Sequence, residues 1–129
     1  MDSEAALFHT AVYDAVRTVP WGCVTTYGHV AKMIDRPSNP RQVGHSLKLL
    51  PQPSVSAGSA GSAGSAGYDS ATVPWWRVIN SQGRISKRAN SNDELRQLHR
   101  LLQENVHVDP DLLKVDLSMY GWFPATDWD

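Results

Sequence analysis

Cysteine is almost missing. Cys23 is the only one in 129 residues, which excludes an internal disulfide framework and a zinc site built from several thiolates, though not a nucleophilic thiol. Long apolar runs are missing too. No stretch approaches the roughly 20 residues needed to cross a bilayer, and the opening MDSEAALFHT lacks the basic-then-apolar layout of a secretion signal. A soluble, intracellular protein with no membrane partner is expected. Neither sign of charge dominates, since the formal net charge is -1. That balance hides an asymmetry: residues 15–92 carry nine Lys and Arg against two acids, whereas the flanks hold three basic and eleven acidic residues. A basic middle can attract a polyanion while acidic ends keep the whole near neutral; a solvated surface with chance clustering fits the charge pattern equally well.

What is present is enough apolar material, 41% of the chain, for one compact domain over residues 1–129. Ser3 can cap a first helix in which Phe8, Val12 and Val16 recur on one face before Pro20, Trp21 and Gly22 end it. A second helix is expected over residues 27–34, with Val30, Ala31 and Ile34 inward, and a third from Asn39 as N-cap and Pro40 to Leu50. Two short helices across a tight turn suggest helix-turn-helix geometry. Residues 51–72 repeat Gly, Ser and Ala with almost no bulky apolar side chain. They cannot offset their own ordering entropy and read as a flexible loop inserted within the domain. Further on, Val78, Ile79, a turn at residues 81–83, Arg84 and Ile85 read as a short strand pair or an irregular wing. Residues 91–94 make a capping box for a helix with Leu95, Leu98, Leu101 and Leu102 as its apolar residues, and Asn105 suits a left-handed end.

The stretch VPWWRVIN, residues 73–80, is the most unusual. Neighbouring side chains on a strand point to opposite faces, so Trp75 and Trp76 cannot both enter one core there. By itself the stretch is compatible with a core tryptophan at 75. Arg41 by itself reads as an exposed helix arginine, Tyr27 as a half-buried residue at a helix start, and Lys87 with Arg88 as a surface pair. Gly44 and Ser46 fit either a helix packing contact or close approach of a surface.

Taken in order, VPWGCVTTYGHVAK, RPSNPRQVGHSLK and VPWWRVINSQGRISKR resemble the DNA-binding domain of the O6-alkylguanine-DNA alkyltransferases, whose active centre reads Pro-Cys-His-Arg-Val. The cysteine position is Trp75, the mark of the alkyltransferase-like branch, and the histidine position is Trp76. The resemblance covers most of the chain from Phe8 to about Pro124. It implies an α/β, mainly α, domain of winged helix-turn-helix type, monomeric, with no cofactor and no metal. The transferase mechanism needs a thiolate and a histidine to draw off its proton. With tryptophans in both places no enzyme activity is expected, and Glu104, at the carboxylate position, is left as a structural group.

The resemblance implies a protein that binds O6-alkylguanine in double-stranded DNA through the minor groove and swings the base into a pocket. Trp75 would wall that pocket, with Tyr27, Arg88, Val78 and Pro74 around it. Trp76 would pack toward the interior, and the carbonyls of Trp75 and Val78 would accept from the exocyclic amine of guanine. Arg41 would be the finger that fills the vacated space, and Thr26, Arg36, Gln42, Gly44, Ser46 and Lys48 complete the DNA-facing set. Hand-over to nucleotide excision repair proteins and residence in the nucleus, if the cell has one, follow by resemblance. Two other readings are a sequence-specific winged-helix regulator and a residual alkyltransferase using Cys23.

Overall fold

A computed structural model describes residues 4–51, 68–86 and 91–128, with the Ser91 side chain also outside the description. The expected cap Ser3 and pocket residue Arg88 therefore lie outside the described residues, as does most of the Gly-Ser-Ala segment. Helix α1 spans Glu4–Arg17, acidic in its first turn and basic in its last, the order that the helix dipole favours. Val12 and Val16 are fully buried and Phe8 packs at the edge of the same face, which Tyr13 also joins. The chain then turns at Gly22, whose φ of +79° favours glycine.

Strand β1, Thr25–Thr26, leads directly into α2, Tyr27–Met33. The Thr26 side chain accepts from the His29 amide at 3.1 Å, an N-cap. Helix α3 covers Pro40–Lys48 with Pro40 in its first turn, ending two residues before the expected Leu50. Asn39 precedes it but makes no side-chain cap bond: its φ and ψ of -118° and 40° depart from the extended backbone that aims a capping side chain. Helices α1, α2 and α3 pack on one another around Val12, Val16, Val30, Val43 and Leu47. Fully burying each such side chain contributes about 1.5–3 kcal/mol.

Val78–Ile79 forms β2, but its partner is not the segment expected. It pairs in parallel with β1, Thr25 opposite Val78 and Thr26 opposite Ile79, while Arg84 bridges antiparallel to Lys114. The anticipated turn at residues 81–83 is present. Gly83 closes it at φ +84°, donating its amide to Asn80 O at 2.9 Å, and a Cβ there would lie 2.6 Å from Val115 O. Such strand partners come from sequence-distant segments and leave no local pattern.

The expected helix is present as α4, Ser91–Gln103. Leu95 and Leu102 are about half exposed, and the inward stripe is Gln97, Leu98, Leu101 and, just beyond the helix, Glu104. Positions 97, 101 and 104 are spaced four and three apart, the helical period, and two of them are polar. Asn105 adopts the expected left-handed conformation at φ +63°. A short α5, Leu117–Tyr120, brings the tail back: Trp122 N–H donates to Val24 O at 2.7 Å, and the His29 ring lies 2.8 Å from Pro124 O. Val24, Trp76, Ile79, Leu101 and Val106 form a second core cluster beside the first. Trp75 packs against both.

Candidate nucleic-acid interface

The two tryptophans do not lie on a strand. Trp75–Arg77 is a single 3-10 turn entered through buried Pro74, and it separates the rings by rotation instead of by pleat. Their planes stand at 84° with centroids 6.0 Å apart. Trp76 is 6% exposed and sits in the second core. Trp75 is half-buried, and its indole N–H donates to Ser70 O at 3.1 Å. Its polar edge is thus occupied.

Behind this turn lies a closed polar cluster. Glu104 accepts from Trp76 Nε1 at 2.7 Å, from Gly22 N at 3.0 Å, and from Arg77 Nε and Nη2 at 2.9 and 2.8 Å. Arg77 Nη1 donates to Val19 O at 2.7 Å. The pair is well shielded, with side-chain exposures of 12% and 2%. Burial opposes ionisation of Glu104, but the bonds from Arg77, Gly22 and Trp76 outweigh it and hold the carboxyl below its ordinary pKa. Arg100 lies over the Trp76 ring at 4.7 Å. Glu104 is therefore structural, and an indole N–H donates to it at the position where the resemblance has a histidine. A tryptophan can donate there but cannot accept a proton back.

Gln97, fully buried, ties the turn from the other side. Its amide nitrogen donates to Trp76 O at 3.1 Å and Val78 O at 3.0 Å. The Val78 amide in turn donates to Trp75 O. The carbonyls of Trp75 and Val78 thus each accept from a protein donor. The Val78 side chain is fully buried in the first core.

On the helix-turn-helix face, Tyr27 begins α2 half-buried, and Gly44 of α3 faces it: a Cβ at Gly44 would meet the Tyr27 ring at 3.7 Å. Arg41, Gln42 and Lys48 are exposed on α3, and Arg36 is exposed just before it. Ser46 is not on that face. It is fully buried, its hydroxyl 2.6 Å from His9 Nδ1 and its carbonyl accepting from Tyr13 OH at 2.6 Å. Its small side chain serves helix packing, so it leaves the DNA-facing set. Thr26, 8% exposed, is occupied as the α2 cap. Sequence reasoning missed Gln97, Ser70 and Arg77. The spacing of Gln97 to Leu101 and Glu104 was the available signal for the first; Ser70 carried none.

Among the described residues no group of three or more His, Cys, Asp or Glu is disposed to hold a metal. Nor is any described helix long and apolar enough to cross a membrane.

Residues 7–106 match the model of the 6-O-methylguanine DNA methyltransferase DNA-binding domain, and the chain belongs to that family. Within it, the chain is of the alkyltransferase-like kind. It is 41% identical over 120 residues to Alkyltransferase-like protein 1 of Schizosaccharomyces pombe, covering 91% of this chain and 95% of the relative. It is 34% identical over 117 residues to the DNA base-flipping protein of Vibrio parahaemolyticus, covering 91% and 97%. The fold agrees. The crystal structure of the S. pombe protein in complex with damaged DNA containing O6-carboxymethylguanine superposes with a TM-score of 0.74 at 39% identity, over 96% of this chain and all of that one. A Mycobacterium tuberculosis OGT bound to DNA, at 23% identity and TM-score 0.56, shares the fold over 81% of this chain and 51% of its own.

Proposed function

We propose that this protein recognises O6-alkylguanine in duplex DNA, holds the damaged base outside the helix and transfers nothing. The observation that carries this reading is the anchored indole of Trp75: a half-buried ring with its N–H committed to Ser70 O, at the position where a transferase has its thiol. Alkylation at O6 removes the hydrogen from N1, weakens pairing with cytosine and lowers the few kcal/mol needed to extrude the base. The carbon face of Trp75 then gives the base and its alkyl group an apolar wall, with stacking of this type contributing about 1–3 kcal/mol per base.

The exposed face of α3 supports entry into the minor groove, whose degenerate code suits a protein that must find damage in any sequence. In this reading exposed Arg41 fills the space left by the base, Arg36 and Lys48 contact phosphates, Gln42 adds to the DNA-facing set, and Tyr27 rotates the target nucleotide. Arg88 remains a candidate for the edge of the extruded base. A protein that marks damage without removing it requires a successor, which we assign to nucleotide excision repair, acting in the nucleus where there is one.

The test is an affinity comparison between matched duplexes carrying guanine or O6-methylguanine, in several sequence contexts at fixed salt, with the mass of the protein measured afterwards. Preference for the lesion in every context with unchanged mass is expected. Ranking of sequences regardless of the methyl group would instead identify a regulator, and a gain of one methyl on the protein, at Cys23 or elsewhere, would identify a transferase.

A further inference from the structure

We propose that residues 68–72 form a positioning element for Trp75 and that Asp69 fixes it, an inference that rests on the lesion-binding role of that ring. Asp69 Oδ1 accepts from the amides of Ala71 at 2.9 Å and Thr72 at 2.8 Å, while its own amide donates to Thr72 Oγ1 at 3.1 Å. The Val73 amide closes the turn on Asp69 O at 3.0 Å. This is one helical turn capped reciprocally by its own ends. The turn aims Ser70 C=O at the Trp75 indole, and Ser70 N–H donates to Pro51 O at 2.9 Å. One residue thus joins the two borders of the 52–67 segment and holds the ring that faces the base.

The turn is in turn seated on α1. Tyr68 OH donates to Asp14 Oδ1 at 2.6 Å, the Arg17 guanidinium lies 4.5 Å over the Tyr68 ring, and Arg17 Nη2 donates to Thr72 Oγ1 at 3.1 Å. The sequence reading placed residues 68–72 in a flexible loop; the structure gives them a capped and anchored turn. A large half-exposed aromatic side chain that must be frozen on binding loses part of its contact energy to ordering, and one already fixed does not. The anchor matters only for an indole. A thiol at position 75 has no such N–H to hold, so the element belongs to the tryptophan form of the site.

The experiment uses the full chain and follows the indole N–H resonances of the tryptophans by heteronuclear NMR, with Trp75 assigned through Trp75→Phe. In Asp69→Ala, the Trp75 indole signal is expected to move and to exchange faster with water while that of Trp76 stays fixed. The lesion-to-guanine affinity ratio should fall by about threefold to thirtyfold, the range expected for a lost cap, with binding of unmodified duplex nearly constant. Asp69→Asn, which keeps the accepting oxygen, should restore most of both, and Tyr68→Phe should give a smaller change in the same direction. An unchanged Trp75 resonance in Asp69→Ala, or a ratio equal to that of the parent, overturns the proposal. If the parent protein shows no lesion preference, the functional reading fails, while the indole resonance still decides whether Asp69 positions the ring.

Discussion

The indole N–H of Trp76 and the carboxylate of Glu104 are hydrogen-bonded at 2.7 Å in a region nearly closed to water. The bond runs one way, since the indole only donates and the carboxylate only accepts. With Arg77 bidentate on the same carboxylate, the cluster is a lock between the 3-10 turn and the end of α4. It keeps Trp76 inside the protein and leaves Trp75 as the ring on the outside.

Glu104→Gln is expected to destabilise the protein by about 3–5 kcal/mol at neutral pH, because Arg77 keeps its charge and loses its counter-ion. The folded-state pKa of Glu104 lies below its reference of 4.5. Its contribution is therefore fully present above that value and is lost as pH falls through the folded pKa. Urea titrations of parent and variant from pH 7 to about 3 should converge toward acid; curves that stay parallel throughout would show that the carboxylate carries no such linkage.

Trp75→Ala should weaken binding of O6-methylguanine duplex by about 1–3 kcal/mol, roughly 5- to 150-fold. Binding of unmodified duplex should change much less, and Trp75→Phe should fall between. Equal losses on both duplexes, measured by fluorescence anisotropy, would mean the ring serves general DNA affinity and not the lesion.

Gly44→Ala should fold as well as the parent or better, by up to about 1 kcal/mol, because alanine is the stronger helix former. The added methyl meets the Tyr27 ring at ordinary contact distance, 3.7 Å. A loss of DNA affinity with an unchanged or raised Tm would then report that DNA approaches α3 too closely for a side chain. A lowered Tm would assign the glycine to helix packing.

Gln97→Leu should cost about 1–3 kcal/mol for each carbonyl it deprives of a donor, those of Trp76 and Val78. Chemical denaturation measures this directly. A variant as stable as the parent would show that the amide contributes little to holding the turn.

Lys48→Ala should weaken lesion-bearing and plain duplexes alike and reduce the salt slope by about one. Arg41→Ala should instead reduce base extrusion, read from a fluorescent base analogue beside the lesion. An unchanged analogue signal in that variant would remove the finger role.

The helical face of Val12 and Val16, the helix pair around residues 35–39 and the left-handed Asn105 were legible because each depends on contacts within a few residues. The motif order around Trp75 was legible for the same reason, as a string. The buried Gln97 and Glu104 on the inner side of α4 were not legible, because the groups they bond to lie far along the chain. Ser46 misled for the same reason, since its burial against His9 and Tyr13 depends on how α1 crosses α3.

By itself the sequence determined that no thiol stands at position 75, that two tryptophans stand side by side at 75 and 76, and that the middle of the chain is basic. These are matters of composition and order, and folding cannot alter them. Only the tertiary structure decided which ring goes in and which stays out. That choice rests on Glu104 and Gln97 reaching back from α4 and on Ser70 reaching across from the neighbouring turn, and hydrogen bonds between distant residues form only once the chain has closed.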